Sequence, residues 1–319
     1  MERLNDEEVQ VSTHPQMSEQ FFNDKFLGDY LQYPQVVIPD FYEQWTQRDP
    51  KYFKQVSQQI GGVRCLRQDP WECTLSFICS SNNNIQRIMQ LVHKLRTNYG
   101  SKLEDIPEQT IKDIAVESQV KGKSEAASSD DQHLFPTLKQ LEKATEQELR
   151  DLGFGYRAGF IVKSVQIIKE NGGEEWLRAM RADKSLKDSE RIDNIREKLV
   201  SLRGVGRKVA DCIMLFSMDC PSVIPVDTHV FQLAKRFGFV KSSATSVNEK
   251  LHREIGEAFV RVYGEHAGWA HQILFAGDLK VFQKKHAENQ EKEAVSSLKK
   301  RSRSEMEGSG TKKLETKPE

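Results

Sequence analysis

The residues best placed to do covalent chemistry lie between Leu199 and His229, in LVSLRGVGRKVADCIMLFSMDCPSVIPVDTH. Leu202 to Gly206 reads as a tight glycine turn. Arg207 to Met218 carries apolar residues at Val209, Ile213 and Phe216, the i, i+4, i+7 spacing of a helix with one buried face. VIPVDTH then brings the chain to Asp227, the expected cap of a further helix. Gly204 and Gly206 can take positive φ and let a partner approach the backbone. The amides of Gly204, Val205 and Gly206, just ahead of a helix N-terminus, suit a phosphate. Lys208 falls in the first turn of that helix, where the dipole disfavours a second positive charge, and a lysine so placed can act as a nucleophilic amine. Asp227 would set a carboxylate beside it. Each residue also has a commoner use: a turn that binds nothing, a solvated lysine, an aspartate that only caps.

Other elements must position these groups. Helical signals start near Phe26 with FLGDYLQY and continue in DFYEQWTQRDPKYFKQVSQQI, where Phe41, Trp45 and Phe53 offer a core and Pro50 a break. Pro70 starts a helix to about Cys79, SSNNN interrupts, and Ile85 to Tyr99 reads as amphipathic through Ile85, Met89, Val92 and Leu95. Two more helices surround GFGYRAG, the first from Pro136 to Gly153. Charged helix or loop follows from Trp176 to Leu199. Helix continues over His229–Phe237, Glu249–Tyr263 and Ala267–Phe282, where His271 and Phe275 share a face. Strand-like alternation is nearly absent. The expected fold is mostly α, a two-lobed helical domain over about 23–283 with Lys208 and Asp227 in the cleft. Residues 1–22 and the charged tail 284–319 read as disordered, and 117–132 as a loop insertion.

The phrases LRGVGRKVADC and VIPVDTH resemble the helix-hairpin-helix and Gly/Pro-Asp signature of base-excision DNA glycosylases. Lys208 matches the bifunctional branch, and GVRCLRQDPWECTLSFICSSNNNIQRI resembles the eukaryotic 8-oxoguanine DNA glycosylases. The resemblance implies an N-glycosylase/DNA lyase acting on double-stranded DNA with an oxidised purine or an abasic site. Lys208 would be the Schiff-base nucleophile and Asp227 the stabiliser of the cationic sugar. Asn82, Arg87 and Arg157 would hold the orphaned cytosine, and Tyr156 would be the aromatic wedge. Cys212 and Phe275 would flank the base, with Pro225 and His229 beside Asp227. The family's base-reading glutamine falls on His271, a departure that offers fewer simultaneous hydrogen bonds. Hairpin carbonyls of Val200, Leu202 and Val205 would be able to hold a monovalent cation; no cofactor or catalytic metal is implied. Such proteins usually begin with an antiparallel β domain. Nothing before Tyr30 is recognisable as one, so the expectation is a truncated form. The alternative is a catalytically weak or inactive protein that binds damaged DNA.

Composition sets limits. The 319 residues are 37% hydrophobic and 29% charged, with zero net charge, so any nucleic-acid surface must be local. Five cysteines at irregular spacing fit neither a disulfide framework nor an iron–sulfur cluster, against the endonuclease III and adenine glycosylase branches. No stretch approaches the ~18–20 apolar residues of a membrane span. A monomeric nuclear protein is expected, with KKRSRS (Lys299 to Ser304) as a candidate import signal.

Overall fold

The computed structural model describes residues 27–102, 133–241 and 246–278, with the backbone of 2–3 and 9–10. The insertion at 117–132 and the tail from 284 lie outside the described residues, as does most of 1–22. Within the last, β1 (Glu2–Arg3) pairs antiparallel with β2 (Val9–Gln10), Glu2 opposite Gln10. Every other named element among the described residues is helical.

Two apolar cores organise the helices. The first is built on α4 (Pro70–Cys79), α5 (Ile85–Tyr99), α8 (Arg157–Glu170), α9 (Glu174–Ala182) and α10 (Asp188–Val200). Short α6 (Leu138–Leu141) and α7 (Glu146–Asp151) close it. The second is built on α2 (Ile38–Arg48), α3 (Phe53–Ser57), α12 (Thr228–Arg236), α13 (Glu249–Tyr263) and α14 (Ala267–Asp278). A short α1 (Gly28–Leu31) precedes them. Between the two runs α11 (Arg207–Ser217), which gives Val209, Ala210, Ile213 and Met214 to the first core and Leu215 to the second.

Local sequence explains where most helices begin. Asp69 accepts from the amides of Trp71 and Glu72 ahead of Pro70. Asn84 caps α5, Asn248 caps α13, and both use their side-chain oxygen. The expected helix from Pro136 to Gly153 is instead two. Thr145 and Glu148 form a capping box, which starts a new helix in the middle of that stretch. The buried face of α5 also differs from the expectation. Ile85 and Met89 are 60% and 66% exposed, while Leu91 and Leu95 are fully buried with Ile88 packed beside them. The apolar stripe is shifted around the helix, leaving Ile85 and Met89 on the surface near Asn82. Helix α11 is more deeply set than its i, i+4, i+7 pattern implies: Asp211 and Cys212 are buried, and Phe216 is only half-buried.

Gly268 sets how closely α14 approaches the chain that leads to Asp227. A Cβ there would lie 2.6 Å from the Val223 oxygen, 2.7 Å from the Pro221 oxygen and 2.5 Å from Leu215 Cδ1. The Gly268 amide donates to the Pro221 oxygen at 2.8 Å. Two backbone oxygens cannot move aside as a side chain can. Gly268→Ala should therefore cost about 1–3 kcal/mol, seen as a lower thermal midpoint. Gly256→Ala is the control: nothing lies within 4 Å of its Cβ position, and alanine in a helix interior should be neutral or stabilising by up to ~1 kcal/mol. Equal midpoints for the two variants would refute this account of α14.

Candidate active site

The turn between α10 and α11 is anchored from below. Leu202 and Val205 are buried, the Val205 amide donates to the Leu202 oxygen at 3.3 Å, and Ser164 Oγ donates to the Arg203 oxygen at 2.9 Å. Gly204 has φ +81°, and a Cβ there would lie 2.4 Å from the Phe160 ring, so glycine is required on two counts. Gly206 does not take the positive φ expected of it. It is extended, at φ −87° and ψ 179°, and open space surrounds its missing Cβ. No side chain caps α11 at Gly206, so the amides of its first turn have no side-chain partner there, as an anion site requires. Of the three carbonyls expected to hold a cation, that of Leu202 already accepts the Val205 amide and retains its second lone pair.

Lys208, in the first turn of α11, is half-buried. Cys212, one turn on, is 4% exposed. Burial pushes the Cys212 thiol up to about 11, while the charge of Lys208 and a hydrogen bond with it pull the other way. Asp227 is delivered by the buried run Val223–Val226, which includes Pro225. Its Oδ1 caps α12 by accepting from the Val230 amide at 2.9 Å, which leaves Oδ2 outside the cap. His271 is 2% exposed and is brought in by α14. Burial lowers it to about 4; Asp227 opposes the shift, and Lys208 and His229 reinforce it. The imidazole is therefore neutral. Its Nδ1 lies 3.3 Å from Gln272 Nε2, and its buried Nε2 makes no hydrogen bond. Phe275 stands beside it, ring centroids 6.2 Å apart, and meets His229 edge-on at 5.0 Å. Lys208, Cys212, Asp227, His229, His271 and Phe275 thus form one neighbourhood. His229 is held from behind: its Nε2 is 2.9 Å from Asp278 Oδ2, whose other oxygen accepts from Arg236 at 2.8 Å.

The residues expected to contact the orphaned base are held differently. Asn82 is exposed and sits in the left-handed region at φ 44°. Tyr156 Oη and Arg157 Nε both donate to the Ser81 oxygen at 2.9 Å, and Arg157 Nη2 donates to the Asn82 oxygen at 2.8 Å. Arg157 also lies over the Tyr156 ring. These three form one cluster. Arg87 is bound elsewhere, donating to the Gly153 oxygen at 2.8 Å. Three participants are not evident in the motifs. The Ser81 carbonyl collects the donors. Phe160 contacts both the Gly204 turn and, at 5.5 Å, the Tyr156 ring, and its place four residues after Tyr156 is the one available signal. Asp278 is signalled only by lying three residues after Phe275.

Residues 75–257 match the family model for HhH-GPD superfamily base excision DNA repair proteins, and the chain belongs to that superfamily. Residues 4–74 match the model for the 8-oxoguanine DNA glycosylase N-terminal domain, so the likeness extends further forward than the Tyr30 limit read from the sequence. The N-glycosylase/DNA lyase OGG1 of Arabidopsis thaliana is 36% identical over 273 residues, 85% of this chain and 65% of that protein. The N-glycosylase/DNA lyase of Saccharomyces cerevisiae is 32% identical, over 74% of this chain and 61% of that protein. The chain thus spans a little under two thirds of these relatives. Among solved structures it resembles the 8-oxoguanine glycosylase/lyase of Clostridium acetobutylicum, in complex with double-stranded DNA containing cytosine opposite 8-oxoguanine. The TM-score is 0.61 at 30% identity, covering 81% of this chain and 75% of that one.

The buried neutral histidines make stability pH-dependent. His271 and His252 are both lowered from 6.5 to about 4, chiefly by burial. Above pH 6.5 both are neutral whether the chain is folded or unfolded, and their contribution is whole. As the pH falls toward 4 the unfolded chain takes up protons that the folded chain refuses, and stability is lost. Each should cost of the order of 3 kcal/mol across that window. Urea unfolding at about pH 7 and about pH 5 should show the loss, and His271→Gln should show less of it. An unchanged pH slope in the variant would mean that His271 is not buried neutral.

Proposed function

We propose that the chain excises oxidised purines, 8-oxoguanine opposite cytosine in particular, from double-stranded DNA and nicks the abasic product by β-elimination. The observation that carries this reading is Lys208: an amine in the first turn of an uncapped helix, hydrogen-bonded to the Cys212 thiol, in a neighbourhood shared with Asp227 and a neutral His271. The duplex phosphate lies on the amides of the Gly204–Gly206 turn, and the lesion is turned out of the stack so that its sugar C1′ can be reached. The Lys208 amine attacks C1′ through its nitrogen lone pair. The glycosidic bond breaks, its electron pair leaving with the base, which takes up a proton. Asp227 stabilises the cationic sugar and assists proton transfer. Loss of a proton from nitrogen and opening of the sugar ring give the Schiff base. Its 2′ proton is then acidic, and its removal expels the 3′ phosphate. The relatives' names, both N-glycosylase/DNA lyase, support the same two activities.

His271 reads the base in this scheme. Its unpartnered Nε2 offers one hydrogen bond to a purine edge, and Phe275 offers a ring to stack on. Tyr156, Arg157 and Asn82 fill the gap that the flipped nucleotide leaves, with Arg87 alongside. The KKRSRS cluster at Lys299 to Ser304, a basic run of the kind import receptors read, supports action in the nucleus.

Borohydride trapping on an abasic duplex is the direct test. The wild-type chain should form a covalent adduct, and Lys208→Gln should form none while still binding the duplex. Trapping by the variant would assign the nucleophile to another amine. Binding without trapping by the wild type would favour the alternative, a damaged-DNA-binding protein with little catalysis. Asp227→Asn keeps a good cap, since asparagine caps as well as aspartate, and should slow base removal by about 10²-fold. His271→Gln should raise 8-oxoguanine excision about tenfold, the worth of one added hydrogen bond, and leave abasic nicking unchanged, because an abasic site has no base to read. A parallel change in both rates would place His271 in the sugar chemistry instead.

A further inference from the structure

A cavity of about 740 Å³ lies on the flank of α11 away from Lys208, between α10, α11 and α13. Its floor is buried: Asp211 is 1% exposed and His252 7%. Arg253 and Arg261 stand exposed at its mouth on α13, and Arg196 and Arg207 line it from the hairpin side. None of the groups assigned to the lyase chemistry lines it. We propose that this cavity is a second ligand site, and that it takes a small organic phosphate of mononucleotide size.

Charge carries the phosphate part. The four arginines face three carboxylates, Asp193, Asp211 and Glu257. Arg196 Nε donates to Asp211 Oδ1 at 2.8 Å, its Nη1 donates to Asp193, and Arg207 pairs with Glu249 outside the cavity. These pairs do not satisfy the floor. Arg207 Nε and His252 Nε2 are both buried without a hydrogen bond, at 3.7 and 3.5 Å from Asp211 Oδ2. The arginines also crowd one another. Burial disfavours the charge on Arg207, and Arg196 and Arg253 disfavour it further. Burial, Arg207 and Arg196 together pull His252 down to about 4. A cluster of guanidinium groups that repel one another, with idle donors between them, is what a phosphate relieves.

Size and lining carry the organic part. The volume lies in the range of small-molecule sites and far exceeds one inorganic ion. Ile192, Val223, Ile224 and Val260 give it aliphatic walls, and Gly256 leaves one side without a side chain. The phosphate then sits between Arg207, Arg253 and His252, with the apolar body of the ligand against the aliphatic wall.

The test is calorimetric titration of the full chain with adenosine 5′-monophosphate, with inorganic phosphate and adenosine as separate arms. The nucleotide should bind at one site per chain, and each fragment at least about tenfold more weakly. Gly256→Leu projects a branched side chain into the cavity from its lining without touching a charge, and nothing lies within 4 Å of its Cβ position; an unchanged thermal midpoint checks that the fold is kept. This variant should abolish binding, as should the exposed substitution Arg253→Glu. Lys208→Gln should bind as the wild type does. No binding by the wild type, equal binding by Gly256→Leu, or inorganic phosphate matching the nucleotide would each overturn the proposal. So would loss of binding in Lys208→Gln but not in Gly256→Leu, which would put the nucleotide in the candidate active site.

Discussion

The structure depends on the burial of one helix from both sides. Val209, Ala210, Ile213 and Met214 of α11 belong to one core and Leu215 to the other. A helix locked in this way can neither rotate nor slide without opening voids in two places, and close-packed interiors resist that strongly. Its N-terminus is therefore fixed relative to both halves of the fold. Lys208 is carried on that end, and the glycine turn before it is clamped by Phe160 against α8. The groups that converge on Lys208 come from the second core: Asp227 from the start of α12, His271 and Phe275 from α14. Their geometry is set by how the second core packs on α11, which is why the Gly268 contact matters to a site it does not touch.

The same rigidity links distant parts of the proposed DNA surface. Gly204 packs on Phe160, Phe160 meets Tyr156, and Tyr156 shares the Ser81 carbonyl with Arg157. The glycine turn and Tyr156 are thus ends of one packed chain of contacts. Holding Asn82 in the left-handed region costs on the order of 1 kcal/mol or more, and the Arg157 hydrogen bond to its carbonyl helps to over-determine it. Pre-organisation of this kind is settled before any duplex arrives.

Much of this was legible in the sequence wherever the signal is local. The expected starts at Pro70, Ile85 and Glu249 are those of α4, α5 and α13, and the short-range caps of Asp69, Asn84 and Asn248 are what fix them. Lys208 and Asp227 stood out by type, spacing and likeness. What stayed hidden depends on partners far along the chain. The capping box that splits the Pro136–Gly153 stretch is itself local and could have been read from Thr145 and Glu148. The phase of α5 could not, because Ile85, Met89, Ile88 and Leu91 are equally apolar, and only the packing of α5 into the first core decides which of them are covered. Nothing near Asp211 in sequence announces that it is buried between Arg196 and His252, nor that a cavity lies beyond them.

Burial also simplifies the electrostatics around Lys208. Of the groups nearest it, Cys212 is kept a thiol and His271 a neutral imidazole, both chiefly by desolvation. Neither can neutralise a cation or compete for one. Asp227, half-buried at the start of α12, is the acidic side chain of that neighbourhood, where charge interactions are stronger than in bulk water. On the proposed reaction the positive charge passes from the sugar to the Schiff-base nitrogen, and a single fixed carboxylate serves both stages without rearranging. A second ionised group in place of His271 would split that field, whether acidic or basic. On the proposed reaction, position 271 calls for a side chain that hydrogen-bonds while uncharged, and burial on α14 makes the histidine one.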